Sequence, residues 1–294
     1  MRSLYSGTLI LQDGENSMTL THRMWGSALA LLAGQGAAWA AIGPEVATEL
    51  THKSGLWVQL ESLGAQVQAG MTDSMAKNPD QLDDAQKSRM LSCAQTAYAA
   101  DALRSVAVDA VSGALQPDDV APLMAWYDSA LGHKIAATEE ASSAQAVTPQ
   151  ERLQRGGAAL VKASESRKTS LNAILVETRS VEMMADTLIE MAYAVQQAMA
   201  SLDPATTPAA LSELKANLAS HRPQLLQHYT QISLPAYAFT YAGLGDDDLK
   251  QYADHLSSPS AKTFNDGSSR GVARALSAGS VKLARCLKEA GPKG

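Results

Sequence analysis

The chain has 294 residues, 46% of them apolar, with 24 Lys and Arg against 30 Asp and Glu, two cysteines and two phenylalanines. That length supports one large or two small domains around an ordinary buried core. The mild, dispersed acidity puts no basic stripe on any segment, which excludes nucleic acid and anionic membrane surfaces as electrostatic partners.

Residues 18–41 read MTLTHRMWGSALALLAGQGAAWAA, with Arg23 ahead of an apolar run and a small-x-small site at Ala38-Trp39-Ala40. The pattern predicts a secretory signal peptide over residues 1–40, cut between Ala40 and Ala41. Asp13 and Glu15 suit a translocation signal poorly, so Met18 is the expected true start. An uncleaved anchor is the alternative, because the run from Met24 to Gly43 approaches the roughly 20 residues a spanning helix needs. Its glycines, Gln35 and the small-residue site favour cleavage. Gln35 also stands where a lipid-attachment box opening at Leu32 would need cysteine. No later stretch approaches spanning length, so the processed chain is expected to be soluble, periplasmic or secreted in a bacterium, with no stable membrane insertion. In that oxidising compartment Cys93 and Cys286 either close one very long disulfide loop or remain two buried thiols. Neither has a metal-ligand or redox spacing.

Alanine, leucine, methionine, glutamine and glutamate dominate, and apolar residues recur at three and four positions, which predicts an all-α fold. Its expected organisation is a first helical repeat over 44–147, a connecting helix over 148–170 and a second repeat over 171–290. Val46 to Met71 is the first helical stretch, with Leu56, Leu60, Leu63 and Val67 on one face and a break at Gly55. Asn78-Pro79 ends the short segment after Met71. A helix over about Leu82 to Val111 turns Met90, Ala94, Ala97, Leu103 and Val106 inward and closes at Gly113. Thr148-Pro149-Gln150-Glu151 is a capping box that starts one or two long helices reaching Leu202, with Gly156-Gly157 as the weak point. Leu171, Ile174, Thr178, Val181, Ala185, Leu188, Ala192, Val195, Met199 and Leu202 form an uninterrupted packing seam. After the loop Asp203 to Pro208, a helix is expected over Pro208 to Ser220. Tyr229 to Tyr241 is also read as helix, although Tyr237, Phe239 and Tyr241 alternate as a strand would.

Two stretches share one pattern at a separation of 129 positions: Leu115 to Ile135, LQPDDVAPLMAWYDSALGHKI, and Leu244 to Phe264, LGDDDLKQYADHLSSPSAKTF. Each predicts a helical hairpin. Asp118-Asp119 and Asp247-Asp248 put negative charge where peptide dipoles favour it, and Ser129 and Ser258 cap the next helix, with Pro259 at its first position. The same offset sets Leu60-Glu61 against Ile189-Glu190 and Ala65 against Ala194, which suggests a tandem duplication about a hundred residues long. Apart from the helix-start aspartates and the capping serines, the potentially reactive side chains differ between the copies, so the shared pattern reads as a packing rule.

The residues that carry the pattern are Asp118, Asp119, Leu123, Trp126, Tyr127, Ser129, Gly132 and Lys134 in the first copy. In the second they are Asp247, Asp248, Tyr252, Leu256, Ser258, Pro259, Ala261, Lys262 and Phe264. The phrase resembles the bacterial DUF2059 family, a domain of unknown function. The resemblance covers some twenty residues per copy. The first copy has Ala130 where proline is usual, and the second has Ala261 where glycine is usual. It implies an exported helical bacterial protein and brings no activity or catalytic residue.

Other spellings point to chemistry only superficially. Gly267-Ser268-Ser269-Arg270-Gly271 matches the G-x-S-x-G nucleophile motif, but no strand precedes it, and a flexible join before a C-terminal helix over Val272 to Leu287 is expected. Ser74-Met75-Ala76-Lys77 and Ser212-Glu213-Leu214-Lys215 spell S-x-x-K without the companion elements of penicillin-recognising enzymes. His22, His52, His133, His221, His228 and His255 have no metal spacing, and Pro223 disturbs the helix that would join His221 to His228. Asp246-Asp247-Asp248 lacks the alternating oxygens of a calcium loop. Tyr229, Tyr237, Phe239 and Tyr241 are expected in the core, with a ligand cleft or interface anchors as the other reading. The functional expectation is a non-enzymatic exported protein without a cofactor that interacts with or supports cell-envelope components. A carrier of a hydrophobic small molecule in a groove between the repeats is the alternative, and a serine hydrolase using Ser269 is the third reading.

Overall fold

The computed structural model describes residues 41–77, 82–145, 147–200 and 207–289, so the expected signal peptide over 1–40 with Ala40 and His22, and Asn78-Pro79, lie outside the described residues. Thirteen helices and no strand occur among the described residues, which makes the fold all-α. The first six are α1 (Pro44–Lys53), α2 (Leu56–Lys77), α3 (Asp84–Ala97), α4 (Ala100–Ala114), α5 (Pro117–Tyr127) and α6 (Ala130–Ala144). The others are α7 (Pro149–Lys162), α8 (Glu165–Glu177), α9 (Ser180–Ala200), α10 (Pro208–Ser220), α11 (Arg222–Thr240), α12 (Asp246–Leu256) and α13 (Pro259–Glu289).

Local chemistry sets most boundaries. Gly55 ends α1 in the left-handed region at φ 77°, a conformation that costs glycine nothing. Asp83 and Gln86 form a reciprocal capping box at α3, and the hydroxyls of Thr148 and Thr207 accept from the backbone N–H of Glu151 and Ala210 to open α7 and α10. Pro223 sits in the first turn of α11, where its missing N–H has no helical partner to lose, so His221 becomes the corner between α10 and α11. Tyr229 to Thr240 is helical with Tyr241 as its C-cap, and the aromatic alternation there is no strand.

Four expectations are corrected. The helix over Leu82 to Val111 is two helices that turn at Tyr98, because the buried ring and its hydroxyl, 3.0 Å from Ser280, fix the chain there. Gly156-Gly157 is no weak point: α7 runs through it and ends at Lys162, so the stretch from Thr148 onward is broken at Ala163. The seam from Leu171 is interrupted where Arg179 adopts φ 51°, and its later member Leu188 is 41% exposed. Residues 267–271 are no flexible join: they lie inside α13, one uninterrupted helix. A Cβ on Gly267 would approach that of Ala114 to 2.8 Å, and one on Gly271 would lie 3.1 Å from the backbone of Ala107. The glycines therefore let α13 lie close along α4, and the packing offsets their poor helix propensity.

The hairpins keep their common register in three dimensions. Helices α5 and α12 start and end 129 positions apart, as do the starts of α6 and α13. The 31 residues of α13 correspond to residues 130–160, which are divided between α6 and α7. The packing is crossed: α13 lies on α4, α3 and α9, whereas α7 lies on α11. One apolar core joins α1 to α5 with α13 and includes Leu60, Met71, Leu103, Leu123, Leu276 and Leu283. A smaller core joins α6, α8, α11 and α12 through Ile135, Leu171, Ile174, Leu249 and Tyr252. The sulfurs of Cys93 on α3 and Cys286 on α13 are bonded, closing the larger core across 193 positions of sequence.

Candidate functional site

The two hairpin corners meet, and a cavity of about 220 Å³ lies at their junction. Trp126, the penultimate residue of α5, stacks on His255, the penultimate residue of α12, with ring centroids 4.1 Å apart and planes within 5°. These two are 129 positions apart. On one side Tyr127 packs edge-on to Phe264 at 6.1 Å; on the other Leu256 and Ile135, which hold the reciprocal positions, share the smaller core. The capping that fixes these corners is also paired. Ser129 Oγ accepts from the N–H of Gly132 at 2.9 Å, and Ser258 Oγ accepts from that of Ala261 at 3.3 Å. Asp119 accepts from the N–H of Gln116 at the start of α5, and Asp248 is held low in pKa by the Lys134 ammonium, 2.6 Å away, with a backbone contribution from Gly245. Asp118 and Asp247 are exposed in the first turns, and Pro259 opens α13.

The cavity carries one unusual polar group. Glu139 on α6 accepts at Oε1 from the hydroxyl of Tyr241 at 2.6 Å and from that of Tyr252 at 3.2 Å. Burial pushes its carboxyl above the ordinary value of 4.5, and the two phenols pull it partly back. Tyr127, Tyr237, Tyr241 and Tyr252 are all raised by burial, so they remain hydroxyl donors across the physiological range. Desolvation lowers His255 to about 4, so the ring stacked on Trp126 is neutral. At the position equivalent to Glu139, 129 residues on, Ser268 lines the same cavity with an Oγ that is buried and finds no partner among the described residues. Lys53, also in the wall, is bonded to Asp128.

Sequence reading located Tyr237 and Tyr241 in the aromatic concentration; the structure largely buries both, as expected for the core, and both line the cavity. Tyr229 instead borders a groove beside Met183, Met184 and Leu188. Phe239 packs under the Arg152 guanidinium. Sequence reading missed Glu139, because a glutamate in the polar run Thr138-Glu139-Glu140 carries no mark of burial. Only the 129-residue register, which sets it opposite Ser268, would have drawn attention to it. Ser269 lies in the middle of α13, without the strained turn after a strand that the nucleophile motif requires. His52 stacks on Trp57, while His133, His221 and His228 are exposed. Among the described residues no group of three or more His, Cys, Asp or Glu converges for a metal, and no helix is long and apolar enough to cross a membrane. No family model matches the chain, and neither a curated protein nor a solved structure matches it.

Proposed function

We propose that this protein is an exported, non-enzymatic binding protein that holds a small molecule in the cavity between its two hairpin corners. One observation carries the reading: a buried carboxyl, Glu139, sits beside space of about 220 Å³ with phenols on several sides and the partnerless hydroxyl of Ser268 in the same wall. A site made only for packing would fill that volume with methyl groups. The Cys93–Cys286 bond supports an oxidising compartment, and the signal-like residues 18–41 support a periplasmic or secreted destination in a bacterium. The shared helix register supports a tandem duplication whose halves exchanged their last helical segments, and the DUF2059 resemblance fits such an exported helical chain. At the 129-residue offset the cavity-lining Tyr237, Tyr241 and Tyr252 correspond to Val108, Ser112 and Leu123, none of which lines the cavity.

The test is thermal denaturation of the oxidised mature chain against a library of small metabolites. At least one compound should raise Tm, and Ala136→Leu, which fills the space from α6, should abolish that shift. A library with no stabilising compound, or one whose hits stabilise Ala136→Leu equally, defeats the proposal. A surface that docks an envelope protein is a second reading, favoured by Met184 and Leu188, which are 41% exposed beside the methionine-lined groove. Cross-linking in cells from position 188 would identify such a partner.

A further inference from the structure

The cavity's chemistry narrows its occupant, and this step rests on the cavity being a ligand site. Its volume is below the roughly 300 Å³ at which drug-sized pockets begin, so a long acyl chain does not fit and the occupant has on the order of ten heavy atoms. An anion entering would meet the Glu139 carboxyl at short range in a desolvated site. Hydroxyl donors such as Tyr241 and Tyr252 orient a carboxylate while leaving its charge in place. The rings of Trp126, Tyr127, Phe264 and Tyr237 line the same cavity. Aromatic faces attract a cation through their quadrupole, most strongly where water is excluded, and an alkylated ammonium loses little on leaving water.

We propose that the cavity binds a small alkylated ammonium, its cationic head held between the aromatic walls and the Glu139 carboxyl and its polar tail directed to Ser268. The groups facing that head are the carboxyl, the four phenols, the neutral His255 and Lys53, whose ammonium is engaged by Asp128 and lies 3.7 Å from Glu49.

The experiment is calorimetric titration of the oxidised mature chain with choline, with its neutral carbon isostere 3,3-dimethylbutan-1-ol, and with acetate. Choline should bind at least tenfold more tightly than the isostere, and acetate should show no heat of binding. Glu139→Gln should weaken choline at least tenfold and leave the isostere unchanged, with an unaltered circular dichroism spectrum. Trp126→Leu should weaken choline while keeping the fold. Equal or tighter binding of the isostere overturns the cation but leaves a cavity for neutral ligands. Binding of acetate, or of none of the three probes, also overturns it, and the metabolite screen then decides separately whether the cavity is a site at all.

Discussion

Glu139 shows how one buried side chain trades stability for chemistry. Its carboxyl is raised in the folded chain, so above the unfolded value of about 4.5 the unfolded state gains by ionising and the folded state is penalised. That penalty grows as pH rises from 4.5 to the folded pKa. Glu139→Gln keeps an oxygen to accept from Tyr241 and Tyr252 and cannot ionise. Its Tm should therefore exceed that of the native chain at pH 7, and the gain should vanish near pH 4 in a denaturation series. A Tm lower by several degrees at pH 7 would show the carboxylate to be a structural anchor. His255 works with the opposite sign. Its folded pKa is depressed to about 4, so as pH falls below the ordinary 6.5 the unfolded state takes up a proton that the folded state refuses. Native stability should fall between pH 6.5 and 4, and His255→Phe, which keeps a ring against Trp126, should flatten that slope. Neither group was readable from the sequence as special. Burial is a tertiary property, and the polar stretch Ala136 to Glu140 resembles any solvated helix face.

Helix starts at Thr148 and Ser129 were readable because capping is local and each satisfies an orphan N–H within three residues; Asp83 and Thr207 cap in the same way but were not singled out. Breaks without a breaker residue were not. The corner at Tyr98 is fixed by a ring buried against α13, and the one at Arg179 by an ion pair to Asp266 2.7 Å away and by the Thr178–Tyr237 hydroxyl pair, all partners far along the chain. Continuity through glycine was equally hidden, since whether a glycine breaks a helix depends on what approaches it. Adjacent residues in α7 make this measurable. A Cβ on Gly156 would stand 1.8 Å from the carbonyl oxygen of Pro235 on α11, whereas a Cβ on Gly157 meets nothing within 4 Å. Gly156→Ala must push α7 off α11 and should destabilise by about 1 to 3 kcal/mol or more. Gly157→Ala should stabilise by about 0.5 to 1 kcal/mol through helix propensity alone. Urea unfolding of the two variants should give shifts of opposite sign. Two losses of similar size would place both residues at the α7–α11 contact.

The crossed packing of α13 on α4 and α7 on α11 means that neither half of the chain owns a finished core. Leu276 and Leu283 of α13 complete the core built by α1 to α5, and Ile135 of α6 contributes to the core of α8, α11 and α12. The 129-residue pattern relates the α5 and α12 hairpins, but a shared register alone does not say which helix fills which groove. Sequence reading could therefore reach the hairpins and not the exchange. The disulfide has the same logic, because Cys93 and Cys286 come from opposite halves and their bond constrains the unfolded chain across 193 positions. Chain-entropy reasoning gives such a loop about 5 kcal/mol, and engineered cases often deliver less. Cutting the chain at Ala163 tests both features. Fragments 41–162 and 164–289 should each unfold without cooperativity when alone. Mixed in equal amounts under reducing conditions, they should associate with the helicity of the intact chain, and oxidation should then join them covalently and raise Tm by several degrees. If either fragment alone melts in a sharp cooperative transition, each half closes its own core and the exchange of helices is wrong.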